Sequence, residues 1–155
     1  MKLFQIEEPE GGPADPAAPG AAIGIDAGGA RAEVAFAVGG NPLVLQDREG
    51  FELVLRVPAN GGGIAAWQKF FEGARIRAER ALARPVTHAV IALASRPQPG
   101  AETQLLAVAE RAGLTVLRLL SSSELSAGAS PALAAAILAE ELAPRPPLPA
   151  APDPG

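Results

Sequence analysis

The chain has 155 residues, 48% of them hydrophobic but only 4% aromatic, so one ordinary domain is expected, its core built from Ala, Leu and Val. With 13 Lys and Arg against 17 Asp and Glu, the formal net charge of −4 gives no electrostatic case for nucleic acid. The absence of Cys excludes disulfides, thiolate metal sites and cluster ligation by this chain, and a single histidine, His88, excludes a His-rich metal site.

Residues Met1 to Glu8 lack the apolar core of a signal peptide, and no apolar run approaches membrane-spanning length. No membrane partner is expected, and a cytoplasmic location is the default. Residues 1–20 read as a flexible leader, because Pro9 to Gly20 is too rich in Pro, Gly and Ala to pack. Leu3, Phe4 and Ile6 within it are read as part of a frayed terminus.

The run Ala22-Ile23-Gly24-Ile25-Asp26 predicts a buried strand that stops at the turn Gly28-Gly29, with a carboxylate at the strand's end. A carboxylate there can anchor a metal-bound water, and the glycines let backbone approach a phosphate closely. Ala32 to Val38 predicts a second strand. Gly39-Gly40-Asn41-Pro42 signals a turn, and Leu43 to Gln46 returns as a third strand. Phe51 to Val57 alternates as a strand with one wet face and stops at Pro58. The expectation is an antiparallel meander of three or four strands.

Gly61-Gly62-Gly63 is a connector. Ile64, Trp67, Phe71, Ala74, Ala78 and Leu82 then step by three or four residues, which is one face of a helix. Trp67 and Phe71 are read as core anchors. Arg75, Arg77, Arg80 and Arg84 are read as a solvated flank. Val86 to Ala94 turns continuously apolar, as in a strand covered on both faces of a parallel sheet. His88 lies at its start and is read as a surface or half-buried histidine. After a loop at Arg96 to Gly100, Glu102 to Ala112 predicts a helix with Gly113 at its C-terminal cap. Leu114 to Leu120 predicts a further strand. Ser121-x-x-Glu124 fits a capping box. Ser130-Pro131 restarts or kinks the helix that runs on to Leu142. Residues 144–155 are a Pro-rich tail with little to bury; docking of that tail on an SH3-like partner is not favoured.

The order is a strand meander, then helix, strand, helix, strand, helix. It predicts an α/β fold with a mixed sheet and helices on its faces. Ligands on such sheets bind at the carboxyl ends of the parallel strands, here the turn after Asp26, the loop at Ser95 and the segment Ser121 to Ser123. A hydrolase built on those serines is not expected. No nucleophile-elbow motif surrounds them, and the lone His88 starts a different strand.

Three stretches resemble DnaK-type heat-shock chaperones. Gly24-Ile25-Asp26-Ala27-Gly28-Gly29 resembles their opening GIDLGTT. Arg84 to Ala94 is similar to EPVTEAVITVPA, and Ala112 to Leu120 to AGLEVLRII. The matches fall in order across roughly Ile23 to Leu142, with one large gap. Leu3 to Pro9 further resembles the start of the HscA-type branch, which serves iron–sulfur cluster assembly. The resemblance implies the first lobe of an actin-like ATPase domain, ribonuclease H-like in fold, at residues 21–143.

The departures from that family are specific. The second lobe, the peptide-binding domain and the subdomain normally inserted after the meander have no counterpart. The family's catalytic Lys belongs to the missing subdomain. Its two phosphate-loop Thr fall at Gly29 and Ala30, and its Asn-Glu-Pro triplet falls at Ser121-Ser122-Ser123. Only Asp26 and Gly28 stay in register. Asp26, Gly28 and Gly29 are therefore expected to be a vestigial nucleotide-phosphate loop, with ATP and Mg as the cofactors it once held. No cofactor and no ATP hydrolysis are expected. The expected function is that of a nucleotide-dead interaction module or relic, with a chaperone, cochaperone, iron–sulfur assembly protein or second copy as partner. The alternative is weak ATP or ADP binding completed in trans.

Overall fold

The computed structural model describes residues 20–46, 55–58, 63–125 and 130–144. The leader up to residue 19, the tail from residue 145, the start of the expected Phe51–Val57 strand and the glycines at 61 and 62 lie outside the described residues. Among those described, six strands form one mixed sheet and three longer helices accompany it.

The elements are β1 Ala21–Ala27, β2 Arg31–Val38, β3 Asn41–Val44, β4 Leu55–Arg56, α1 Ile64–Leu82, β5 Val86–Leu93, α2 Pro99–Arg111, β6 Thr115–Ser121 and α3 Pro131–Leu142. The strand order is β3-β2-β1-β5-β6, and β4 also pairs with β2. β1, β2 and β3 pair antiparallel, as the meander predicted. β5 lies parallel to both β1 and β6, which explains its continuous apolarity: it has a strand on each side and packing on each face.

Several boundaries move. β3 begins at Asn41, inside the expected four-residue turn, because Gly39 (φ 61°) and Gly40 (φ 81°) alone make the hairpin connection. Two central residues with positive φ match the right-handed twist of the flanking strands, and glycine takes that conformation without strain. β4 pairs with β2 through Arg31↔Arg56 and Ala32↔Leu55, so it shares β2's outer side with β3. α2 starts at Pro99 rather than Glu102: proline's fixed φ suits a helix's first turn, and Pro99 and Gly100 belong to the helix rather than the loop. The Ser121–Glu124 capping box closes a short 3-10 turn, Ser122–Glu124, and does not open α3. α3 starts afresh at Pro131, where the Ser130 Oγ accepts the Leu133 N–H at 3.2 Å.

The sheet has a different partner on each face. One face carries Ile23, Ile25, Val34, Ala89 and Ile91 and packs with Phe70, Phe71 and Ala74 of α1 and Val108 and Ala109 of α2. Phe71 is 1% exposed, as a core anchor should be, and Trp67 packs beside it half-buried, with ring centroids 5.7 Å apart. Ile64, expected on the same face, is 47% exposed because it sits in α1's first turn. The other face carries Ala22, Ala35, Ala37, Val90 and Ala92 and meets Ala132, Ala135, Ala136 and Ala139 of α3. Alanines make the direct contact with α3, while Leu120, Leu138 and Leu142 fill the side of that face towards β6.

Arg75 departs from the solvated flank expected of it. Its Nε donates to the Ala112 carbonyl at 2.7 Å and its Nη1 to Glu79 Oε1 at 3.0 Å. Glu79 Oε2 in turn accepts the Val86 N–H at 3.0 Å. One arginine and one glutamate thus tie the end of α2 and the start of β5 to α1.

Among the described residues, each sheet edge carries a feature that weakens further strand pairing. Val38 and Asn41 flank the two-residue turn and form a hydrogen-bonded pair, so at the next position Pro42 turns its nitrogen outward and offers no donor to the open edge. On the opposite edge β6 carries an extra residue, Leu117, between the pairs Ala89↔Val116 and Val90↔Arg118, and the charge of Arg118 follows it.

Candidate functional site

β1, β5 and β6 end level with one another: Ala27 is opposite Leu93, and Leu93 opposite Ser121. The three loops named from sequence therefore leave the same edge of the sheet. Gly28 stands where they converge. A Cβ built there would lie 3.2 Å from Asp26 Oδ1, 3.3 Å from Ser122 Oγ and 3.5 Å from the Ala94 nitrogen. Asp26, Gly28 and Ser122 thus come together. Gly29 does not join them: it is exposed, and the nearest atom to a Cβ there is the Arg31 carbonyl oxygen at 3.9 Å.

Asp26 is half-buried, and its Oδ1 accepts the Gly28 N–H at 2.9 Å. This is the backbone satisfaction expected of a strand-end aspartate. It also engages the amide that a glycine loop would offer to a phosphate oxygen.

Of the neighbouring serines, Ser121 and Ser123 are engaged around the Glu124 cap. The Ser121 N–H and Oγ donate to Glu124 Oε2 at 2.8 and 3.0 Å, and Ser123 Oγ lies 2.9 Å from Ser121 Oγ. These bonds hold the Glu124 carboxyl below its usual range, the Ser121 N–H contributing most and the Ser121 hydroxyl next. Arg96 and Arg118 add to the lowering.

His88 is at the opposite end of β5, level with Thr115 at the start of β6. Five residues of strand separate that level from Ser121's partner Leu93, about 17 Å at strand rise. His88 and Ser121 are therefore not brought together. Instead His88 Nδ1 lies 2.7 Å from Thr87 Oγ1, which also accepts the Gly20 N–H at 2.9 Å. Burial pushes the His88 imidazole below its ordinary pKa, and the Glu110 carboxylate partly offsets this.

Arg96 was not singled out from sequence. It follows β5 and reaches two acids, with Nη1 3.6 Å from Glu124 Oε1 and Nε 4.0 Å from Glu102 Oε1. Its position three residues past a strand's last residue at the ligand-binding edge was the available signal. Phosphoryl transfer depends on positioned cations and donors around the phosphates. Arg96 is paired with acids, and Lys69, the one lysine among the described residues, lies exposed on α1. No group of three or more His, Cys, Asp or Glu among the described residues could hold a metal ion.

No protein-family model matches the chain, and no curated protein matches it.

Proposed function

We propose that this chain is a nucleotide-dead lobe of the actin-like ATPase type, ribonuclease H-like in fold and related to DnaK-type chaperones. It acts by protein interaction, with a chaperone, a cochaperone or an iron–sulfur assembly protein as partner. The strand order β3-β2-β1-β5-β6, with β2 alone antiparallel to both its neighbours on that path, supports the fold relationship. The observation that supports the loss of nucleotide chemistry is the Asp26–Gly28 bond, in which Asp26 Oδ1 accepts the loop's own amide. The expected Thr hydroxyls are replaced at Gly29 and Ala30.

A native pull-down with the purified chain as bait tests the partner. Recovery of a DnaK-type chaperone or an iron–sulfur assembly protein supports an interaction module. Recovery of nothing reproducible leaves a relic and overturns the module.

A second reading has its own observation. Asp26, Ser122 and the Ala94 amide converge at Gly28, which favours weak ATP or ADP binding completed in trans. Nucleotide titration alone and with the recovered partner separates the two: binding that needs the partner supports the second.

A further inference from the structure

Glu140 of α3 reaches across to the β2–β3 turn, a hundred residues away in the chain. Its Oε2 accepts the Gly39 N–H at 2.6 Å and its Oε1 the Gly40 N–H at 2.8 Å. Each carboxylate oxygen thus meets one of two successive amides. Consecutive backbone N–H groups turned to one side form a concavity for an anion. Charge-assisted bonds of this length are the strong kind. Glycine suits both positions because their φ angles are 61° and 81°, and the space beside them is open, since a Cβ added at either would meet nothing within 4 Å. The contact is exposed, so an outside ligand has access to it.

The geometry points to a carboxylate-binding nest at Gly39-Gly40 that the chain fills with its own Glu140, which makes this contact a latch on the last turns of α3. Among the described residues α3 is the helix packed on the face of the sheet opposite α1 and α2. The Glu140 contact ties the last turns of that helix to the hairpin. The ligand class is a free carboxylate, such as a peptide C-terminus or an acidic side chain, since that is what the amides hold in cis. Intramolecular tethering gives Glu140 a high effective concentration, so an outside carboxylate competes only when Glu140 is removed or withdrawn.

The test is an amide-resolved NMR titration of Glu140→Ala with sodium acetate, against sodium chloride at equal ionic strength. The expected result is that the Gly39 and Gly40 amide resonances move together and saturate with acetate in the variant, and stay still in the wild type. Movement that is not saturable, that chloride reproduces, or that the wild type shows equally overturns the proposal. Glu140→Gln keeps the side chain's length and guards against loss of the fold. There both glycine amides exchange with solvent faster than in the wild type; unchanged exchange overturns the latch.

Discussion

Gly24 of β1 and Ala136 of α3 approach so closely that no side chain fits between them. A Cβ built on Gly24 would lie 2.3 Å from the Ala136 nitrogen and 2.6 Å from the Ala135 carbonyl carbon. The glycine is there for backbone approach. Ala132, Ala135, Ala136 and Ala139, all fully buried, are the matching surface on the helix. Dense packing of this kind cannot absorb a methyl group without moving backbone.

Gly24→Ala is therefore expected to cost about 3 kcal/mol or to prevent folding, the upper end of overpacking penalties. Gly29→Ala, where only the Arg31 carbonyl oxygen lies within 4 Å of the new Cβ, is the neighbouring control and stays near neutral. Urea denaturation of both variants checks this. Equal midpoints would mean that α3 does not press on β1.

Ala83 takes a left-handed conformation at the C-terminal cap of α1, φ 56° and ψ 38°, where glycine is the usual residue. The strain of a Cβ there exceeds the extra freedom glycine brings to the unfolded chain. Ala83→Gly should stabilise by about 0.5 kcal/mol, read as a rise in Tm of about 1–2 °C. A fall in Tm contradicts this cap geometry.

Glu124 has a pKa held below its ordinary value by the Ser121 N–H first and the Ser121 hydroxyl second. A depressed carboxyl contributes stability above its unfolded pKa and loses it as the pH falls through the folded one. The Ser121 amide resonance should therefore move with acidification in step with the Glu124 carboxyl, and Glu124→Gln should abolish that movement. A Ser121 amide that titrates equally in the variant rules the box out as the cause.

His88 behaves in the same direction for a different reason. Burial lowers its pKa from the ordinary 6.5, and Glu110 only partly restores it. The fold favours the neutral ring, so its contribution is complete above pH 6.5 and is lost as the pH falls through the lower folded value. Comparing urea midpoints of the wild type and His88→Asn from neutral to mildly acidic pH isolates the effect. The wild type is expected to lose more stability than the variant over that range, and parallel curves would exclude the imidazole as its source.

Much of this architecture was legible because periodicity reports burial. The step of three to four residues gave α1, and the continuous apolarity of Val86 to Ala94 gave the central strand between two parallel neighbours. Boundaries were less legible wherever a residue suits two states. Pro99 reads as a loop residue and as a helix's first residue, and Asn41-Pro42 as a turn and as an edge strand. The bond from Arg75 to the Ala112 carbonyl depends on how two helices meet, which no local pattern contains. At the candidate site, the convergence of Asp26, Gly28 and Ser122 followed from the rule that ligands gather at parallel strand ends. The pairing of Arg96 with Glu124 and Glu102 did not, since its place after β5 marks the edge but not the partners it reaches.

The central proposal is that the loop at Asp26, where Oδ1 accepts the Gly28 amide, does not serve a nucleotide. Asp26→Ala frees the Gly28 amide and is expected to cost about 1 kcal/mol of stability without changing any nucleotide response. The direct measurement is calorimetric titration of the wild-type chain with Mg·ATP, with phosphate release followed in parallel. The account predicts no saturable heat and no hydrolysis above that of Asp26→Ala. Saturable binding in the wild type that Asp26→Ala abolishes would contradict it.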